Sequence, residues 1–531
     1  MIEKQHIPYS QTPLLSPIMK DFTCESESLS PFYIPYSNEN LQSLIQQKKR
    51  FFGKDKRTLL HAELLKQYQG FELSEQTKNN IDLLLNENTF TITTGHQLNL
   101  FGGPLYFIYK IISVVNFAKK LKNQYPEYNF VPVFWMASED HDFEEINHFY
   151  LNNKLLAWNR KTKGAVGRLS TEGLEKIYHK LANITGDSIN TKKIQELFRN
   201  AYLAHNTLSA ATHYFVNQLF KDQGLVIIDA DNRNLKKEFI PVIKQDIFEN
   251  TSFKQINIQS DKLKKLYNKT QINARPVNFF YLKDNIRERI EKNGNTYKVI
   301  NSDISFSDKE LASEIDNYPE RFSPNVALRP MYQETILPNL AYIGGGGELA
   351  YWLQLKKAFE TYKIPFPFLF LRNSALWLDK KSVRYINKLQ LQWQDIFLPE
   401  NELTKKILTS KNTIPFNTYK QEIEDVFRHL EKDITTFDKS LRPSILASQT
   451  RINKELNRLE KKVLRNLKRR ETETLQKINY LNQTAFPKGV LQERIWNFST
   501  LYLEYGNAFF TQLLNEFDIP SKEILIFYPN N

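Results

Sequence analysis

Cysteine is nearly absent: the 531-residue chain carries one, Cys24. A single thiol excludes an internal disulfide and any zinc site built on paired cysteines. That usage fits a reducing, cytoplasmic setting. Long apolar runs are absent too. No stretch reaches the roughly 20 residues that a bilayer-spanning helix needs. The start, Met-Ile-Glu-Lys-Gln-His, lacks a secretory pattern. No fixed-period repeat and no low-complexity linker appears. Acid is in deficit, with 72 Lys and Arg against 59 Asp and Glu, a net charge of +13. Such a charge permits nucleic-acid or anionic-substrate binding. Lys, Asn and Ile are spread throughout, however, which favours compositional drift plus a basic helical arm over a nucleic-acid surface. The length implies two or more domains, and 41% hydrophobic content can bury sizeable cores.

The stretch from Phe90 to Pro104 organises the chain. A β-branched run, Phe90 to Thr94, leads into a glycine-bearing loop. An amphipathic segment follows, with Ile108, Ile111, Ile112, Val115, Ala118 and Leu121 at helical spacing. Strand, Gly-rich turn and helix can aim a helix N-terminus at a phosphate. Thr93-Thr94-Gly95-His96 resembles the Thr/His-x-Gly-His signature of nucleotidylyl transferases and class I aminoacyl-tRNA synthetases. A second strand, Phe130 to Met136, is almost continuously apolar, as expected of a strand buried on both faces of a parallel sheet. Pro132 suggests an early or edge position in it. At its carboxyl end stands Ser138-Glu139-Asp140-His141-Asp142. Clefts of open α/β sheets lie at strand carboxyl ends, so the two clusters are expected in one crevice.

Gly224 to Asp229 reads as a third strand. Asn339 to Ile343 leads into Gly344-Gly345-Gly346-Gly347-Glu348 and a helix, a second strand–Gly loop–helix unit whose backbone could approach a ligand closely. Pro365 to Leu371 is the last core strand. A hairpin is expected to turn at Asn293-Gly294-Asn295. In the tail, Ile423, Phe427, Leu430, Ile434, Phe437 and Leu441 form a heptad seam, and Ile452, Leu456, Leu459, Val463 and Leu467 form another. Pro443 separates the two arms of a helical hairpin. Residues 1–36 read as a surface wrap.

The expected fold class is α/β, a doubly wound parallel sheet core with two insertions and a C-terminal helical coiled coil. The expected division is 1–149, N-terminal helices and the first half of the core; 150–222, a first insertion; 223–250, a core strand and helix. Residues 251–321 form a second insertion with a β-hairpin, and 322–380 the rest of the core with its Gly-rich loop. Residues 381–485 form the coiled-coil domain, and 486–531 a helical segment packed on the core.

Longer motifs carry a more specific resemblance. They are Thr94-Gly95-His96-Gln97 with Gly103-Pro104-Leu105-Tyr106; Ser138 to Glu145; Ser323 to Pro330; Tyr342 to Trp352; and Pro487 to Arg494. In this order, over nearly the whole chain, they resemble the cysteine-adding enzymes of bacillithiol biosynthesis. That resemblance implies a Rossmann-like core, two connecting-peptide insertions and a coiled coil that pairs two subunits. It also implies addition of L-cysteine to glucosaminyl-malate. His96 departs from a pattern that commonly has Gln there. A carboxylate does not react unaided with an amine at neutral pH, so ATP or another adenine nucleotide is expected, with Mg only in its company.

On this reading His96, Asp140 and Asp142 are the catalytic residues: His96 for phosphate or oxyanion charge, the acids for the incoming amine. Thr94, Gly95, Gln97, His141, Asn325, Arg329, Gly345, Gly346, Glu348 and Tyr351 are expected to bind substrate, with Arg329 facing a malate carboxylate. Gly102, Gly103, Lys380 and Lys381 are expected on the nucleotide. No tightly held metal, no membrane and no nucleic acid are expected as partners. The alternatives are a tRNA- or nucleotide-binding protein without ligase chemistry, and a plain nucleotidylyl transferase.

Overall fold

The computed structural model describes residues 2–411 and 415–530. Five parallel strands form the core: β1 (Thr89–His96), β2 (Asn129–Met136), β3 (Val226–Asp229), β4 (Asn339–Gly344) and β5 (Phe368–Leu371). Their spatial order is β5-β4-β1-β2-β3, the doubly wound arrangement of a Rossmann-like fold. The winding reverses between β1 and β4, and such reversal points open a crevice at the carboxyl ends. Helix α1 (Tyr106–Gln124) packs on β1 and β2.

β1 is rich in threonine, yet almost wholly buried. Its hydroxyls are satisfied within the sheet: Thr91 and Thr93 donate to Asn339 Oδ1 at 3.2 and 2.8 Å, and Thr94 to the Ile343 carbonyl at 2.7 Å. β-Branched residues suit the strand, and their polar atoms bear burial because each has a partner. β2 is central, not an edge. Pro132 is tolerated because pairing with β3 starts one residue later, at Val133.

The first insertion opens with a small hairpin, His148–Leu151 against Lys154–Ala157, and continues as three packed helices. The second carries an antiparallel sheet. Its strand Phe279–Lys283 pairs with Ile286–Asn293, which pairs in turn with Thr296–Val299. The expected turn is present: Asn293 pairs with Thr296, and Gly294 adopts φ +60°.

Both chain ends depart from expectation. Ile2–Pro8 is a strand rather than a surface wrap. It runs antiparallel to Glu523–Pro529, which runs parallel to Ser374–Trp377. The C-terminal segment therefore ends as a strand after its helices Phe498–Tyr505 and Asn507–Glu516. Ile524-Leu525-Ile526-Phe527 is apolar and buried, and the other terminus supplies its missing partner.

The tail forms the expected helical hairpin, α3 (Phe416–Phe437) against α4 (Arg442–Arg470). Phe427 is buried, whereas Leu430, Phe437, Leu441, Ile452 and Leu459 are exposed. The side chain of Leu467 lies outside the described residues. Among the described residues no helix is long and apolar enough to cross a membrane.

Candidate active site

A cavity of about 640 Å³ opens at the carboxyl ends of β1, β2 and β4. Gly95, His96 and Gln97 line it together with Glu139, Asp140, His141 and Asp142. The two clusters therefore share one crevice. Strand geometry explains this: β1 and β2 are adjacent and in register from Thr89/Asn129 to His96/Met136, so the segments that follow leave side by side. Gln97 bridges them, its amide donating to Asp140 Oδ2 at 2.9 Å and Glu145 Oε2 at 3.0 Å.

Asp140 also accepts from the His141 backbone N–H at 2.7 Å. Burial works to raise its pKa, but the His141 and Gln97 hydrogen bonds and the Arg287 charge prevail and hold the carboxyl well below its usual range. Arg287 comes from the hairpin of the second insertion. Its guanidinium lies over the Phe280 ring at 4.2 Å, donates to Ser323 Oγ at 3.3 Å and contacts His141 Nδ1. His141 Nδ1 also lies 3.5 Å from Asp140 Oδ1, and its Nε2 lies 3.8 Å from Asp142 Oδ1. Asp140, His141 and Asp142 place ligand atoms within 4.8 Å of one another.

Beneath them, Glu139 meets the buried Lys236 ammonium at 2.6 Å. Burial, opposed by Lys236 and helped by Asp231, pushes Glu139 up to about 7. His96 is tuned the other way. Its Nε2 is buried with no partner among the described residues, and its ring meets Tyr106 edge-on at 5.3 Å. Burial first, then the nearby charges of Lys110 and Arg372, keep its pKa well below the usual histidine value. It is a neutral imidazole at pH 7.

The opposite wall belongs to Arg329 and α2 (Gly346–Trp352). Arg329 Nη1 donates to Gln333 at 3.0 Å and Nη2 to the Tyr351 hydroxyl at 3.4 Å. Its guanidinium lies 5.9 Å from the Trp135 ring and 5.6 Å from that of Tyr342. No ion pair to Arg329 is found among the described residues. Glu348 caps the helix start, accepting from Gly345 N at 3.4 Å and from the Tyr342 hydroxyl at 3.1 Å, and pairs with Lys110. The Lys110 ammonium also donates to the Gly95 carbonyl at 2.7 Å, tying the loops after β1 and β4 together.

Of the expected site residues, Gly95, His96, Gln97, Asp140, His141, Asp142, Asn325, Arg329, Glu348 and Tyr351 converge on this cavity. Asn325 is partly committed to structure, since it donates to Asn278 and accepts from Ala327 N, both at 2.9 Å. Thr94 does not face the cavity; its hydroxyl is held by the Ile343 carbonyl inside the sheet. Gly102 and Gly103 are not phosphate donors. Both have positive φ, their N–H groups close a tight turn on Asn99 and Leu100, and a Cβ on Gly103 would lie 2.7 Å from Asn99 Cβ. They are glycines for conformation and packing.

Gly345 and Gly346 also depart from expectation. None of the four consecutive glycines has positive φ. Gly346 and Gly347 instead line a second cavity, of about 360 Å³, between α2 and the N-terminal segment around Met19. Gly345 lines neither cavity. Lys380 and Lys381 open a helix capped by Asp379, and Lys381 sits over the Tyr480 ring at 4.0 Å, away from both cavities. They belong to a solvated helix start. Sequence reading missed Lys110, Arg275, Arg287 and Arg289. For the last two, the only signal was their alternation on one strand.

A family model described as "Bacillithiol biosynthesis BshC, N-terminal Rossmann-like domain" matches residues 2–373. Another, described as "Bacillithiol biosynthesis BshC, C-terminal coiled-coil domain", matches residues 375–529. A relative from Flavobacterium johnsoniae, named "Putative cysteine ligase BshC", is 44% identical over 96% of this chain and 97% of its own. Relatives of the same name from Flavobacterium psychrophilum and Bacillus cereus are 45% and 30% identical, covering 96% and 90% of this chain and 96% and 91% of their own. A solved structure described as a "putative arginyl t-RNA synthetase" from Campylobacter jejuni is matched over 85% of this chain and 99% of its own at 9% identity, with a TM-score of only 0.20.

Proposed function

The chain belongs to the BshC family of bacillithiol biosynthesis, and from that premise we propose that it joins the carboxylate of L-cysteine to the amine of glucosaminyl-malate as an amide. The observation that carries the reading is the division of charge in one cavity. Asp140 and Asp142 stand on one wall, and Arg329, with no carboxylate partner among the described residues, on the other. Carboxylates suit an ammonium and can accept its proton. A planar guanidinium suits a carboxylate.

The chemistry requires activation. A cysteine carboxylate oxygen attacks a phosphorus of an adenine nucleotide such as ATP, which leaves a mixed anhydride and releases the remainder of the nucleotide. The sugar amine gives its proton to the acidic wall and attacks the acyl carbon, the C–N bond forms and the phosphate-bearing group departs with the electron pair. His96 Nε2 suits the phosphate side, because a neutral ring can donate there without the cost of a buried charge. Mg would travel with the nucleotide. Two copies of the chain would pair through the coiled-coil arms.

The test is substitution within the cavity. Asp142→Asn should lower ligation by about 10²-fold or more, the scale of lost acid–base catalysis, while nucleotide binding persists. His96→Gln should be tolerated, since an amide can still donate to a phosphate oxygen, and His96→Ala should lose more. Full activity in both Asp142→Asn and His96→Ala would refute the assignment.

A further inference from the structure

We infer that, within the acidic wall, Glu139 is the general base that takes the proton of the sugar ammonium, while Asp142 holds that ammonium by charge. This rests on the ligase reading above. Glu139 follows the carboxyl end of β2 and lines the cavity. Its side chain is 11% exposed. Oε1 receives the Lys236 ammonium at 2.6 Å. Lys236 is itself enclosed: it donates to the Phe322 carbonyl at 2.9 Å and lies 4.7 Å from the centre of the Tyr332 ring. This anchor holds the carboxylate in place. Oε2 accepts no hydrogen bond among the described residues and is not sealed off, so its lone pairs are open to a ligand.

The other carboxylates of the cavity are differently placed. Asp140 accepts from Gln97 and from the His141 backbone, and its Oδ1 lies 3.8 Å from Arg287 Nη1. Held ionised by these partners, it attracts a cation but is a poor proton acceptor. Glu348 pairs with Lys110 and accepts from the Tyr342 hydroxyl and Gly345 N. Asp142 is 53% exposed and stands in water. Glu139 alone joins a free oxygen to an enclosed setting.

The groups around Glu139 suit the task. Burial raises its proton affinity, Lys236 opposes, Asp231 adds to the rise and Arg287 lowers it, which leaves the carboxyl at about 7. Asp231 is itself held by Arg168 at 2.7 and 2.8 Å, and Asp229 accepts from Ser138. Burial keeps the Tyr332 phenol neutral. A base poised near the working pH both takes a proton and gives it up again. In the step, an N–H bond of the ammonium breaks, the proton moves to Glu139 Oε2, and the electron pair stays on nitrogen. That pair attacks the acyl carbon. The second proton leaves the nitrogen with the departing phosphate-bearing group, and Glu139 returns its own to water in the cavity.

The experiment measures the pH profile of kcat/KM for glucosaminyl-malate in the wild type and in Glu139→Gln, Lys236→Met and Asp231→Asn. The wild type should lose activity below a limb near pH 7, because the protonated carboxyl is no base. Glu139→Gln should lose the limb and about 10²-fold or more in rate. Lys236→Met removes a cation and should move the limb to higher pH; Asp231→Asn removes an anion and should move it lower. A merely structural role would not move the limb in opposite directions. A limb unmoved in all three variants overturns the assignment and leaves the ligase reading standing.

Calorimetry in buffers of different ionisation enthalpy reads the same group without catalysis. The bound ammonium and carboxylate share one proton between them, so binding of glucosaminyl-malate alone should release the proton that Glu139 carried, more at pH 6 than at pH 7. The release should vanish in Glu139→Gln, and with the N-acetylated conjugate, which has no ammonium. Equal release in wild type and Glu139→Gln overturns the assignment. If the wild type ligates nothing, the ligase reading fails, and proton release still decides whether Glu139 meets the ammonium.

Discussion

The guanidinium of Arg372 and the carboxylate of Glu493 meet in a two-pronged pair, Nη2 to Oε1 at 2.6 Å and Nη1 to Oε2 at 3.0 Å, with side chains 5% and 3% exposed. Arg372 directly follows the last core strand, and Glu493 lies in the C-terminal segment. The pair thus fastens the chain's end onto the core beside Tyr106, whose ring lies 5.3 Å from the guanidinium.

Removing one charge would leave the other buried and unpaired. Glu493→Gln should therefore cost about 3–5 kcal/mol of stability. Urea or guanidinium unfolding of the purified protein checks this. A loss below about 1 kcal/mol, the size expected of an exposed pair, would show that the contact does not fasten the segment.

The glycines after β4 separate by what surrounds them. A Cβ on Gly344 would meet Glu348 Oε2 and Tyr342 Cε1, both at 2.9 Å, whereas one on Gly345 has nothing nearer than Arg372 Nε at 3.9 Å. Gly344→Ala should lower the thermal midpoint clearly and disturb the Glu348–Lys110 link. Gly345→Ala should change it little. The reverse order would mean that backbone freedom rather than space keeps glycine here.

The coiled-coil arm leaves Leu430, Leu459 and Phe437 uncovered, the last 90% exposed. Apolar side chains left exposed on a heptad seam suit pairing with a second copy of the chain. Changing Leu456 and Leu459 to Glu together should shift the mass in solution from dimer to monomer by light scattering. A parent protein that is already monomeric, or a mass unmoved by the change, would contradict pairing through this arm.

The core was readable because its signals are local. Phe130 to Met136 is apolar along both faces, and Gly294 marks its hairpin by composition alone. The shared crevice followed from a rule about strand ends, without knowledge of any side-chain contact. What escaped was whatever depends on a distant segment. Lys110 sits in a helix that reads as plainly amphipathic, and only the fold brings Glu348 to it. Arg287 gains its place from how an insertion folds back on the core. Glycine was legible as a residue but not as a reason: Gly102 and Gly103 serve a tight buried turn, and Gly344 serves close packing. The two terminal strands escaped because their partners lie far along the chain: Ile2–Pro8 pairs with Glu523–Pro529, which pairs in turn with Ser374–Trp377.

The most direct measurement incubates the purified protein with L-cysteine, glucosaminyl-malate and ATP, and identifies the thiol product and the nucleotide product by mass spectrometry. The account predicts one new compound with the mass of both substrates less one water, formed together with an equal amount of cleaved nucleotide, and strongly reduced in Asp142→Asn. Intact substrates after incubation with folded protein, or nucleotide cleavage with no amide formed, would contradict it.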